Sequence, residues 1–347
     1  MNSGTLLEQE IHQQPGTLTR LLTSEAASVA ALAEAIRSAR PRFAMIAARG
    51  SSDNAAIYGK YVLGAYAGLP VALAAPSVVT YYGRMPDVSD ALVIGISQSG
   101  QGEDIRVVVE QARAQGALTV GITNDPESPL AKAAEFCIPL HAGPERSLAA
   151  TKTFTAQLTV MAMLAAHLAD DETLLEQLNS LPDWVAHTLA LSAGVPARAE
   201  RYRYMPRCVT LGRGFNYAIA FELALKLKEL TYVGATPYSS ADFRHGPIAQ
   251  VEEGFPVLAV APDGVVLPDM LDLMRNLRER EAELIVISNQ QEALALAHTP
   301  LAIPAVPEWL SPIVAVVPGQ LLAFGLSIAR GYDPDQPRAL RKVTSTR

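Results

Sequence analysis

ALVIGISQSGQGED, residues 91 to 104, decides the fold. Ala91 to Ile96 is an unbroken run of apolar residues and one glycine. A strand without polar alternation belongs in a parallel sheet covered on both faces. The run stops at Ser97, Gln98, Ser99, Gly100 and Gln101, and from Glu103 apolar residues recur at helical spacing. Strand, small polar turn, helix is the repeating unit of a doubly wound α/β domain.

The same alternation extends outward. Residues 43–48, 92–96, 118–123 and 137–140 read as strands, and 52–64 and 103–115 as helices. The second half echoes the first. MIAARG from Met45 returns as VTLGRG from Val209, so Arg49-Gly50 and Arg213-Gly214 stand 164 residues apart. At that offset VIGISQSG falls on VLAVAPDG, ending at Gly264. One residue further, Ile122-Thr123-Asn124 meets Ile287-Ser288-Asn289, and Ile138-Pro139 meets Ile303-Pro304. Echoes in order imply two tandem doubly wound parallel-sheet domains. The expected division is a helical segment at 1–40, a first domain at 41–170, a helical linker at 171–200, a second domain at 201–335 and a tail at 336–347.

Composition narrows the function. The 347 residues suit two domains, and 49% apolar residues fill sizeable cores. A net charge of −7 disfavours a nucleic-acid partner, whose phosphates want a basic face. Cys137 and Cys208 show no metal-ligand spacing and read as core thiols, and no cluster of ligating residues suggests a metal. No signal peptide is evident, and the expectation is that no run approaches the ~18 apolar residues that span a bilayer. A cytoplasmic protein with no membrane partner is the expectation.

Two constellations carry chemistry. Two first-half strands end in Gly50-Ser51-Ser52-Asp53 and in Ser97-Gln98-Ser99-Gly100, each before a helix. Helix N-termini and serine hydroxyls suit an anion; serines that merely cap helices are the plainer reading. In the second half the equivalent turn is Ala261-Pro262-Asp263, which repels an anion and lacks a donor at the proline. The other constellation is FELALKLKEL, 221–230. Glu222, Lys226 and Glu229 share one helix face, and His245 follows in the turn RHGP. A carboxylate, a lysine and an oriented histidine suit acid–base work, although a solvated ion-paired face is the ordinary alternative. His167, His187 and His298 fall in helical stretches, and His12 and His141 have no comparable company.

ISQSG, AATKTFTAQL, LGRG…ALKLKEL…RHGP and DQPRALRK, taken together, resemble the isomerase part of glucosamine-6-phosphate synthase. They resemble still more the stand-alone two-domain sugar isomerase (SIS) proteins, including glucosamine-6-phosphate deaminases. The likeness runs from about Glu10 to Lys342. It implies flavodoxin-like domains and a phosphorylated amino sugar as ligand, with no cofactor. Ser51, Ser52, Ser97, Gln98 and Ser99 would hold the phosphate. Glu229 would move a proton between C1 and C2, His245 would assist ring opening from the other subunit of a homodimer, and Lys226 would stabilise charge. Lys342 would close over the substrate, and Gly50, Ala149, Thr151 and Lys152 would line the sugar. Gly102 stands where the synthases carry a threonine, and Asp242 where a glutamate is usual. The chain begins Met-Asn-Ser-Gly rather than with a glutaminase cysteine, so deamination of glucosamine 6-phosphate to fructose 6-phosphate is the expected direction. The alternatives are another phosphosugar isomerase, a galactosamine-6-phosphate deaminase, a fructose-amine-phosphate deglycase, or a sugar-phosphate sensor without catalysis.

Overall fold

The computed structural model describes residues 4–338 and Lys342. It divides into two compact units. One comprises residues 1–15, 146–151 and 181–340; the other comprises 16–145, 152–180 and 341–347. Each is built on its own parallel sheet.

The unit that carries the serine turns holds β1 (Phe43–Ala47), β2 (Val71–Leu73), β3 (Ala91–Ile96), β4 (Leu118–Thr123) and β5 (Phe136–Pro139). Their order is β2-β1-β3-β4-β5, all parallel. This is the flavodoxin-like order, which reverses between β1 and β3. All six residues of β3 are buried, because helices cover both faces of the sheet. Val93, Ile105, Val108, Val109 and Leu130 form part of the core on one side. Gly95 lets a helix approach: a Cβ there would stand 2.8 Å from both Leu130 Cδ1 and Val109 Cγ2.

The helices of this unit follow from local signals. After α1 (Leu6–His12), which belongs to the other unit, come α2 (Gln14–Ala39), α3 (Ser51–Ala67), α4 (Pro76–Thr80) and α5 (Glu103–Ala114). Next are α6 (Pro129–Ala133), α7 (Lys152–Ala169) and α8 (Glu172–Asn179). Gly68 in the left-handed conformation ends α3, Ser128 caps α6 ahead of Pro129, and Asp171 caps α8. α7 packs along α3 and is buried from Lys152 through Ala166.

The other unit holds α9 (Leu181–Leu191), α10 (Val195–Arg198), β6 (Arg207–Gly212), α11 (Tyr217–Thr231), β7 (Gly234–Ser239) and α12 (Ser240–Arg244). It continues through β8 (Pro256–Val260), α13 (Leu267–Glu279), β9 (Glu283–Ser288), α14 (Gln291–Ala295), β10 (Thr299–Ala302) and α15 (Ser311–Ala329). The order β10-β9-β8-β6-β7 repeats the first sheet strand for strand.

Two expectations are corrected. The segment Glu308–Ala329 is long and apolar enough to cross a membrane, contrary to the reading that no run qualifies. Its apolar window is 89% buried inside the protein, where α15 packs on α9, α10 and α11. His298 is not helical: it lies on a bend between α14 and β10, and its Nδ1 accepts from Leu284 N at 3.0 Å.

Candidate active site

In an open doubly wound sheet, ligands collect beyond the carboxyl ends of the strands where the order reverses. For the first sheet that point lies between β1 and β3. Their register pairs Ala47 with Gly95, so the turns at 48–50 and 97–102 leave neighbouring strand ends. The structure thus brings Gly50, Ser51 and Ser52 to the same edge as Ser97, Gln98 and Ser99.

Capping does not account for these serines. The N-cap of α3 is Gly50 and that of α5 is Gly102, and neither helix start has a side-chain cap. Ser97 Oγ accepts from Gly100 N at 3.1 Å, and Ser99 Oγ accepts from Gln101 N at 3.3 Å. Ser52 Oγ accepts from Gln157 Nε2 at 3.0 Å. A hydroxyl has one proton to give and lone pairs to receive. Three oxygens already receive, so three O–H groups remain to donate. Two helix N-termini add their own polarity.

The turns are rigidly set. Gly100 has φ +65°, and a Cβ there would fall 2.1 Å from Ser128 Oγ. Arg49 Nε donates to Asp104 Oδ2 at 2.8 Å, which ties the β1 turn to the first turn of α5. Asp104 is wholly buried, whereas Arg49 is half exposed. Burial pushes the Asp53 carboxyl above its ordinary value, and Arg49 pulls it part of the way back. Gly102 is extended and supplies no hydroxyl. A hollow of about 450 Å³ on this unit is lined by Arg42, Phe43, Asp87, Ser89 and Asp90 at the amino end of β1. Its two aspartates make it a poor seat for an anion.

Lys152 and Lys342 belong to the same unit. Lys152 is buried, and its Nζ donates to Pro144 O at 2.7 Å. Lys342 Nζ stands 3.1 Å from Glu145 Oε2, a buried carboxylate that also accepts Thr153 N and Oγ1 at 3.1 and 2.7 Å. The expected closing role of the tail falls in part on 339–341 and 343–347, which lie outside the described residues.

The other unit carries the acid–base candidates. On α11, Lys226 Nζ lies 2.5 Å from Glu229 Oε2 and 3.4 Å from Glu222 Oε1. The side chains of Lys226 and Glu222 are 1% and 0% exposed, so this is no solvated ion-paired face. Glu229 is 22% exposed: one oxygen is held by the ammonium while the group still reaches the surface. Lys228 is exposed, on another face. His245 ends α12, exposed, and among the described residues no side-chain hydrogen bond or ion pair engages its ring. The loop is anchored next door: Arg244 reaches Asp269 Oδ1 at 2.6 Å and Asp272 Oδ2 at 3.0 Å on α13. Ala149 and Thr151 are buried in 146–151, where the Glu10 carboxylate accepts from the backbone N–H groups of Arg146 and Ser147 and from the Ser147 hydroxyl.

Sequence reasoning missed Gln157, Glu145, Glu10 and the Arg244–Asp269 anchor. For Glu145 a signal existed: Pro144-Glu145 recurs as Pro307-Glu308 a few residues after the repeated Ile-Pro. Both cysteines are poor nucleophiles. Burial pushes the Cys208 thiol up to about 12 and raises that of Cys137, which is only partly buried rather than a full core residue. Among the described residues, no group of three His, Cys, Asp or Glu side chains is placed to hold a metal ion.

The SIS domain description matches residues 36–167 and again 203–330. A glutamine–fructose-6-phosphate aminotransferase (isomerizing) of Aquifex aeolicus is 34% identical over 340 residues, covering 97% of this chain and 57% of its own length. The chain thus spans a little over half of that relative. A solved protein of Silicibacter pomeroyi assigned as a phosphosugar isomerase superposes with TM-score 0.86 at 34% identity, covering 96% of this chain and all of the other. The C-terminal domain of glucosamine-fructose-6-phosphate aminotransferase from Francisella tularensis gives TM-score 0.86 at 28% identity, covering 97% and 99%.

Proposed function

The chain belongs to the SIS-domain family, and from that premise we propose that it is a phosphosugar isomerase of the deaminating kind. Its reaction is glucosamine 6-phosphate plus water to fructose 6-phosphate plus ammonia. The observation that carries the reading is the donor seat between β1 and β3: Ser52, Ser97 and Ser99 all receive hydrogen bonds and keep their O–H groups to give. Such a seat fits the phosphate of a sugar and places the reacting end by geometry.

The chemistry then falls to the acid–base residues. Ring opening needs proton transfer at the ring oxygen and at O1, for which His245 has an uncommitted imidazole. Glu229 takes the proton from C2 of the open aldehyde and returns it to C1. The C2–N bond becomes an imine; water adds at C2, and ammonia leaves. Lys226 holds the Glu229 carboxylate in place. The Lys342 ammonium, paired with Glu145, shields the substrate from bulk water. His245 acts in the partner subunit of a homodimer.

The test is ammonia release from a panel of glucosamine, galactosamine and fructose-amine 6-phosphates. Glucosamine 6-phosphate is the expected substrate. Glu229→Gln should lower kcat by about 10²–10⁴ while fructose 6-phosphate still binds. A Gln variant with normal turnover refutes the assignment of Glu229. No turnover by wild-type protein with tight sugar-phosphate binding refutes catalysis and leaves a sensor.

A further inference from the structure

Gln157 is out of place by ordinary packing rules. It lies in the fully buried part of α7 at 1% exposure, among Phe154, Leu158 and Met161. Burying a side-chain amide costs about 1–3 kcal/mol unless its hydrogen bonds are replaced. Here one bond is replaced: Nε2 donates to Ser52 Oγ at 3.0 Å, while Oε1 has no partner. A leucine in this helix would pack without that penalty, so stability alone does not explain an amide here.

The direction of the one bond explains it. An amide nitrogen only donates, so Ser52 Oγ must accept. Ser52 is itself buried, at 7% exposure, in the first turn of α3, and among the described residues its side chain makes no other hydrogen bond. A hydroxyl whose lone pair is taken this way turns its proton away from the donor. Ser52 sits at the β1 side of the seat, so its proton remains to be given there. Gly100 N on Ser97 and Gln101 N on Ser99 do the same for the β3 side. There backbone donors orient the hydroxyls; at Ser52 the helix provides none, and α7 supplies a side chain instead.

We propose that Gln157 is a positioning residue for the phosphate seat: it polarises Ser52 so that the hydroxyl is a committed donor to the bound anion. The proposal rests on the reading of that seat as a phosphate site. Gln157 does not touch the sugar's reacting carbons, so its loss weakens substrate and transition state alike. The signature is a raised KM with kcat unchanged.

The experiment measures binding of inorganic phosphate and fructose 6-phosphate by calorimetry, with KM and kcat alongside, for wild type, Gln157→Leu, Gln157→Met, Ser52→Ala and Ser52→Ala with Gln157→Leu. Loss of Ser52 should weaken phosphate about tenfold or more, as expected for a bond to a charged group. Gln157→Leu and Gln157→Met should weaken it about fivefold, and Gln157→Leu should have no further effect once Ser52 is alanine. An equal loss in both backgrounds, or unchanged affinity in both Gln157 variants, overturns the proposal. So does a fall in kcat at constant KM. Methionine, close to glutamine in size, keeps the test open if leucine disturbs folding. Inorganic phosphate keeps the two readings apart. Wild-type protein that binds phosphate with this pattern but turns over no hexosamine phosphate refutes the proposed reaction and supports the role of Gln157. Wild-type protein that binds no phosphate overturns the seat and this proposal with it.

Discussion

Replacing Lys226 by methionine tests whether the charged face of α11 is a buried device. Lys226 is 1% exposed and Glu222 is 0%, with 3.4 Å between their charges, while Glu229 is 2.5 Å away but 22% exposed. Methionine retains most of the aliphatic stem, so the loss is chiefly electrostatic. Removing one partner of a buried pair costs about 3–5 kcal/mol, because the other charge stays buried and unpaired. Against a total of about 5–15 kcal/mol for a folded domain, that is a large fraction. Glu229 can turn toward water and adds little to the penalty. Glu222 cannot, so a second change, Glu222→Gln, should bring the variant back to within about 1–2 kcal/mol of wild type. The assay is urea unfolding of all four members of the cycle, read as a shift in midpoint at constant m-value. A loss below about 1 kcal/mol for Lys226→Met, or strictly additive effects in the double variant, refutes the argument.

Two further outcomes follow from local geometry. Gly100→Ala must adopt φ +65° at a cost of about 1–2 kcal/mol and drives a Cβ into Ser128 Oγ; Gly83, at φ +61° with nothing within 4 Å, is the control for strain alone. Calorimetry should show fructose 6-phosphate binding weakened at least tenfold by Gly100→Ala and unchanged by Gly83→Ala; equal effects would remove Ser128 from the explanation. The second concerns acid. Burial alone raises the Glu283 carboxyl, but hydrogen bonds from Arg201 and Tyr202 and the charge of His298 hold it below its ordinary value. A carboxyl depressed in the fold contributes stability at neutral pH that is lost as the pH falls through its folded value. Arg201→Gln should therefore be destabilising at pH 7 and nearly neutral well below pH 4, measured by urea unfolding at both; an equal loss at both values contradicts the sign.

The fold was legible where burial on both faces forces continuous apolar runs, as in β3, β4 and β9. Two edge strands, β2 and β7, left no such trace. β2 is three residues with Ala72 and Leu73 exposed, and β7 contains Pro237 and alternates with polar residues. Edge strands need no double cover and tolerate proline, so neither hydrophobicity nor period marks these two. α15 was overlooked: a helix buried on all sides has the composition of one that spans lipid, and the reading that no run qualifies missed it. In the site, helical spacing alone put Glu222, Lys226 and Glu229 on one face. It could not say that the face is buried, which depends on how α11 packs against α15, β6 and β7. Gln157 was beyond reach: its partner lies 105 residues away, and no periodicity encodes a single side-chain bond at that distance.

The repeat explains why one seat stays open while its counterpart does not. Beyond β8 the backbone passes through Gly264 at φ +147°, the counterpart of Gly100. The side chain of Glu308 lies against it: a Cβ on Gly264 would fall 2.1 Å from Glu308 Cδ. Glu308 Oε2 accepts from Val265 N at 3.0 Å, and Asp263 Oδ1 accepts from Gly264 N. The donors that would face an anion are thus taken by the chain's own carboxylates, and Pro262 offers none. Glu145, the counterpart of Glu308, instead takes up Thr153 and the Lys342 ammonium, and leaves the Ser97–Ser99 turn its donors. One architecture therefore yields a closed turn or an open one according to where a single carboxylate after the last strand is spent. That is why the serines, which the fold itself does not require, are the part of the sequence that speaks of function.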